Sequence, residues 1–290
     1  MTPPSGGVSR GACPQDEMAN DEQDNLDAAS NPFAHDPGVQ HALTPLWREA
    51  RWPLEWVRLR ASPVFYGFGV PHGKGEPVML IPGFMSGDGL MLELHRWLKR
   101  IGYQSHLSNI VWNNDCPDHT ARRLATKVRR IHLEHGQRVR LIGHSLGGML
   151  AKSILQEHPE RIDRVITLGS PFRSMVKAHP AVVGIWDQLK VMRSGLIGRN
   201  LHASCGTGHC LCGFVKNMLQ PRRLEVPQFA VYSRKDGVAH WSSCMEEVQD
   251  ANTEVSCTHI GMVFDVEVYR TIARRLRQDP ADPYPAPTGA

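Results

Sequence analysis

The stretch Gly143-His144-Ser145-Leu146-Gly147, followed by Gly148, limits what this chain can fold into more than any other. It joins an apolar run at residues 138–142 (RVRLI) to a segment of helical spacing at residues 147–157. A strand that passes straight into a helix leaves room for a turn of only a few residues, and the residue at its apex takes a strained backbone. Small residues at 143 and 147 remove the side chains that would collide with neighbouring elements. The hydroxyl of Ser145 is then presented at the carboxyl end of the sheet, where open α/β sheets bind their ligands. The pattern Gly-x-Ser-x-Gly is unspecific alone; its place between strand and helix is the setting that a nucleophile turn requires.

The flanking sequence repeats that rhythm. Residues 78–82 (VMLIP), 103–110, 138–142, 164–169 and 228–232 read as strands, and residues 254–259 (EVSCTH) as a short one. Residues 89–100, 118–135, 147–157 and 263–277 read as helices. Strands alternating with helices predict a doubly wound, mostly parallel α/β sheet with helices on both faces. Arg122, Arg123, Lys127, Arg129 and Arg130 fall on the solvated face of the helix over 118–135. Residues 171–227 break the rhythm and are too long for a plain connection, so they are expected to be an insertion with its own packing.

Charge separates the ends from the middle. Residues 1–36 hold seven acids against Arg10, a net of −6; the whole chain carries +4, so the rest carries +10. That acidic, apolar-poor head predicts a disordered tail over residues 1–40, ahead of one domain at 41–279 and a flexible, proline-rich tail at 280–290. A charge of +4 gives no reason to expect nucleic acid. Residues 1–30 show no basic start with an apolar run, and eighteen apolar residues never run together, so a cytoplasmic location is expected. Residues 45–60 (PLWREARWPLEWVRLR) alternate Trp and Leu with Arg, and Pro53 is expected to interrupt any single helix there. Two readings are open for this segment: an element packed on the edge of the domain, or a peripheral contact with a membrane surface.

On the strength of the Gly-x-Ser-x-Gly turn in its strand–helix setting, the chain resembles the lipase/esterase branch of the α/β-hydrolase superfamily over residues 63–277. That family orders its triad along the chain as nucleophile, acid, base. The resemblance implies Ser145 as nucleophile and, after the strand at 228–232, Asp236 in an Asp-Gly turn as the acid. Asp187 is the rival but lacks a preceding strand. His259, in a loop before the last helix, is implied as the base. Backbone N–H groups would hold the oxyanion: Leu146, next to the nucleophile, and Phe84 in the loop Pro82-Gly83-Phe84-Met85, with Met85 as the alternative. Many members have His-Gly where this chain has Pro82-Gly83.

The insertion carries apolar residues, Trp186 and Leu189 among them, which reads either as a lid over an acyl pocket or as packing alone. With Met85, Trp186 and Leu189 are the candidate substrate contacts. Cys205, Cys210 and Cys212 stand near His202 and His209, but their spacing is not that of a familiar zinc site, and no metal or cofactor is expected. A disulfide from this cluster to Cys244 is the other reading. The expected function is therefore a serine hydrolase acting on small-molecule esters of apolar acyl groups. An acyltransferase with the same triad, or a binding protein that kept the fold without turnover, are the alternatives. A dehalogenase would need an aspartate where Ser145 stands.

Overall fold

The computed structural model describes residues 45–173 and 212–279. Its first strand, β1 (Pro77–Ile81), shows why the sheet needs cover on both sides. Val78 and Leu80 belong to one apolar cluster and Met79 and Ile81 to another, as the two-residue repeat of a strand requires. The other strands are β2 (Gln104–His106), β3 (Val139–His144), β4 (Ile162–Leu168), β5 (Gln228–Ser233) and β6 (Asn252–Val255). They form one six-stranded sheet in the order β2-β1-β3-β4-β5-β6, with every neighbouring pair parallel.

Helices fill the two faces. Residues of α1 (Trp52–Arg60), α2 (Asp88–Arg100) and α6 (Val266–Arg277) join the cluster that holds Val78 and Leu80. Residues of α3 (Pro117–His135), α4 (Leu146–Glu157) and α5 (Gly213–Leu219) join the cluster that holds Met79 and Ile81. Trp97 of α2 and Tyr269 of α6 pack at a tilt of 49° with ring centroids 4.6 Å apart, and the Trp97 indole donates to Val64 O at 2.8 Å. The expected doubly wound parallel α/β sheet is thus the fold. Its winding reverses between β1 and β3, because the chain leaves β1 for β2 and then returns across β1. Crevices for ligands open at the carboxyl ends of strands that flank such a reversal.

Several boundaries differ from the sequence reading, each for a visible reason. β2 stops at His106 rather than 110: Asp88 accepts the N–H groups of Ser108 and Asn109 at 3.1 and 2.7 Å, and Asn109 turns into the left-handed region at φ 65°. The final helix begins at Val266, where the Asp265 side chain caps the N–H groups of Glu267 and Val268. Residues 45–60 do not form one helix: a 3-10 helix (Leu46–Arg51) gives way to α1 at Trp52, and Pro53 lies in the first turn of α1, where a missing N–H costs no helical bond. The basic side chains of α3 are exposed apart from the half-buried Lys127, which donates to Asn109 at 2.7 Å.

The end of the expected insertion, from Cys212 onward, packs into the main core: Phe214, Val215 and Val226 are buried there. Asn217 of α5 donates to Ser153 and Glu157 of α4 at 2.9 and 2.8 Å. Residues 46–60 run along the domain with Glu49 and Leu59 buried, while Trp47, Leu54 and Val57 stand exposed. Among the described residues no helix is long and apolar enough to cross a membrane.

Candidate active site

Ser145 has φ 52° and ψ −123°, in the region that glycine favours, and heads helix α4. Holding a serine there costs about 1–3 kcal/mol, which the surrounding packing must over-determine. The packing is tight enough. A Cβ on Gly143 would overlap the backbone of Gly147 and Gly148, and one on Gly147 would lie 2.7 Å from Pro82 O and closer still to the Ile81 carbonyl. Ser145 N–H donates to Leu168 O at 2.8 Å, which ties the turn to the end of β4. Ser145 and Leu146 are half-buried in a wall of otherwise buried residues.

Asp236 and His259 meet across the ends of β5 and β6. His259 Nδ1 lies 2.6 Å from Asp236 Oδ2, and both side chains are buried. The other oxygen, Oδ1, accepts the N–H groups of Val238 and Ala239, each at 2.8 Å, so the carboxylate is fixed by its own turn. Gly169, at φ 56°, leaves the space beside this pair: a Cβ there would stand 3.1 Å from both Asp236 Oδ2 and His259 Nδ1. Burial alone pushes the His259 pKa down. The Asp236 charge and hydrogen bond, with Glu49 behind them, more than offset that and hold it above the ordinary histidine value. With Nδ1 engaged by Asp236, Nε2 is the nitrogen left for proton transfer.

His144 links the two halves of the site. Its Nε2 donates to the His259 carbonyl at 2.9 Å, and the two rings pack at a tilt of 50° with their centroids 4.8 Å apart. Burial, and then the neighbouring His259, push its pKa down to about 3, so it is neutral and its Nδ1 carries no proton. A neutral His144 adds no charge beside His259.

The loop after β1 is zipped to the segment 110–113. Met85 N–H donates to Asn113 O at 3.0 Å, Asn113 N–H to Ser86 O at 2.8 Å, and the Asn113 side chain to Pro82 O at 2.8 Å. Met85 has φ 56°, and its N–H is engaged by Asn113 O. A Cβ on Gly83 would stand 3.0 Å from Ser145 Cβ, so this loop passes directly over the Ser145 turn.

Ser145, Asp236 and His259 therefore stand at the carboxyl ends of β3, β5 and β6, as the strand–turn pattern implied. The pattern gave no sign of Asn113, of the partner that His144 takes, or of Glu49 and Glu55, which accept backbone N–H groups around His259. Short polar side chains in irregular loops carry no periodicity to read.

Asp187, Trp186, Leu189, Cys205 and Cys210 lie outside the described residues. Cys244 is a buried free thiol, packed with Tyr232 and Ala239, so the expected disulfide to it is not formed. Its surroundings are apolar, and burial raises its pKa well above the ordinary value, as it does for Cys257.

A family model described as alpha/beta hydrolase fold matches residues 99–197, which carry β2 to β4 and the Ser145 turn. No curated protein sequence matches the chain. Among solved structures, the pyrethroid hydrolase PytH aligns with 72% of this chain and 99% of its own, at 16% identity and a TM-score of 0.51. The structure described as that of LipS and LipT, metagenome-derived lipolytic enzymes, aligns with 71% of this chain and 94% of its own, at 14% identity and a TM-score of 0.50. The Bacillus licheniformis lipase BlEst2, in its propeptide form, aligns with 77% of this chain and 54% of its own, at 18% identity and a TM-score of 0.50. At these identities the likeness is one of fold.

Proposed function

We propose that the chain is a serine hydrolase of the α/β-hydrolase superfamily, cleaving carboxylic esters of apolar acyl groups. The observation that carries the reading is the strained Ser145 turn beside a buried Asp236–His259 pair at one end of the sheet. The ester takes its direction from the neighbours described as lipases and as a pyrethroid hydrolase.

The chemistry follows from the atoms. Ser145 Oγ attacks the ester carbonyl carbon while its proton passes to His259 Nε2. Asp236 holds Nδ1–H and balances the imidazolium charge that forms. The carbonyl oxygen becomes an oxyanion, held by the N–H groups of Leu146 and Phe84. Leu146 N–H lies in the first turn of α4, where the helix dipole adds to its pull on negative charge. The tetrahedral centre collapses, the bond to the leaving alcohol breaks, and His259 Nε2–H returns the proton to the departing oxygen. Water then repeats the sequence on the acyl-enzyme and releases the acid.

The test is hydrolysis of nitrophenyl esters with acyl chains of two, four and six carbons, with the products identified in the presence and absence of added alcohol. Each methylene buried against apolar residues such as Phe84 and Met85 contributes about 0.8 kcal/mol, close to fourfold. kcat/KM is expected to rise with chain length, with free acid as the main product. Transfer to dilute alcohol as the main product would favour an acyltransferase.

A further inference from the structure

The segment 46–60 reaches the catalytic loop through two carboxylates. Glu49 Oε1 accepts the N–H of His259 at 3.0 Å and that of Gly237 at 2.9 Å, and its Oε2 accepts the N–H of Ile260 at 2.9 Å. Glu55 accepts the N–H of Thr258 at 2.9 Å and its hydroxyl at 2.7 Å. Three consecutive N–H groups, 258 to 260, thus end on carboxylates some two hundred residues earlier in the chain. β6 ends at Val255, opposite the last residue of its partner β5, Ser233, and does not run on to His259. Gly261 fits the same arrangement, since a Cβ there would overlap the Glu55 carboxylate.

One carboxylate therefore holds the base's own N–H and the N–H of the residue that follows the acid. Resting on the Ser145–Asp236–His259 reading, we propose that Glu49 is a positioning residue that fixes His259 and Asp236 relative to each other, and that the segment 46–60 is part of the catalytic apparatus. Hydrogen bonds to a charged acceptor are about twice as strong as neutral ones. Glu49 is buried, so its loss leaves three N–H groups without their acceptor beneath the imidazole. A shift of about 1 Å in the base is enough to cost up to a hundredfold in rate.

A brace of purely structural value would alter stability only. A positioning carboxylate beside the base also sets its titration. The groups facing His259 are Asp236 from the turn after β5, His144 from β3 and Glu49 from the 46–60 segment, with Glu55 one residue removed on Thr258. Of these, Glu49 and Asp236 favour the imidazolium, and His144 is neutral. Removing the Glu49 charge therefore makes the imidazolium less stable and moves the acid limb of the rate profile to lower pH.

The experiment uses the full chain, with kcat/KM for a nitrophenyl ester measured from pH 4.5 to 9 and unfolding followed in parallel. Glu49→Gln is expected to lower kcat by roughly ten- to a hundredfold in folded protein, with the acid limb displaced downward. Glu55→Gln is expected to lower kcat with the limb unmoved. A Glu49→Gln protein with the wild-type limb refutes the proposal, whether its kcat is retained or falls only in step with the folded fraction. If Glu49→Gln does not fold, Glu49→Asp decides. It keeps the charge but is one methylene short, so a tenfold fall in kcat in folded protein supports the proposal and an unchanged kcat refutes it. Wild-type turnover that survives Ser145→Ala would overturn the hydrolase reading and this one together, whereas an unmoved Glu49 variant sinks this one alone.

Discussion

Replacing Gly147 by alanine puts a methyl group where the structure has backbone on two sides. The new Cβ would lie 2.7 Å from Pro82 O and closer to the Ile81 carbonyl, where an ordinary contact is 3.4–4 Å. Neither neighbour is a side chain that could rotate away, so α4 must withdraw from the end of β1 by about 1 Å. Overpacking of this kind costs about 1–3 kcal/mol, or a fall in Tm of roughly 2–12 °C for a domain of this size. The same movement separates Leu146 N–H from Phe84 N–H, the two proposed oxyanion donors. A loss of about 10²-fold in kcat, close to 2.7 kcal/mol, is expected, with KM little changed. Thermal unfolding and initial rates of nitrophenyl ester hydrolysis read the two effects separately. Gly89→Ala is the control: its Cβ meets nothing within 4 Å, so turnover should be unchanged and stability equal or slightly higher. A Gly147→Ala protein that melts with the wild type and turns over at full rate would refute the account of the turn.

Asp236→Asn should lower kcat by roughly 10³–10⁴-fold, because an amide facing Nδ1 favours the wrong imidazole tautomer. The lost charge no longer favours the imidazolium, so the residual activity should keep its acid limb at lower pH than wild type; a more damaging Asp187→Asn would show that the wrong carboxylate was chosen. Changing Trp186 and Leu189 to alanine is expected to flatten the rise of kcat/KM with acyl length more than it slows the acetyl ester. A strict preference for acetyl esters that these changes leave untouched would refute the apolar-pocket reading and leave the Ser145 chemistry standing.

The parts legible in the sequence are those with a repeat or a fixed local pattern. Strands such as 78–82 and helices such as 118–135 announce themselves because burial on two faces, or on one stripe, forces a spacing on the apolar residues. The Ser145 turn is legible because its glycines are required by backbone contacts only a few residues away or at the neighbouring strand end. Asp236 and His259 follow from chain order and from their place at strand ends. What was not legible depends on pairings across the fold. Asn113 fastens the loop over Ser145 from a segment thirty-one positions away, and Glu49 and Glu55 reach the His259 loop from far earlier in the chain. In the segment 45–60 the Trp and Arg residues are conspicuous, yet it is the two glutamates that reach the His259 loop. Pro53 was legible for the opposite reason: a proline is accepted only in the first turn of a helix, so a new helix begins beside it, at Trp52.

The central claim is that Ser145 is the nucleophile. It is tested most directly by treating the full-length wild-type chain and Ser145→Ala with a fluorophosphonate probe and mapping the modified peptide by mass spectrometry. One label per chain on Ser145, lost in the alanine variant together with ester turnover while the fold is kept, is the result expected. Labelling at another serine, or hydrolysis that persists without Ser145, would contradict the account.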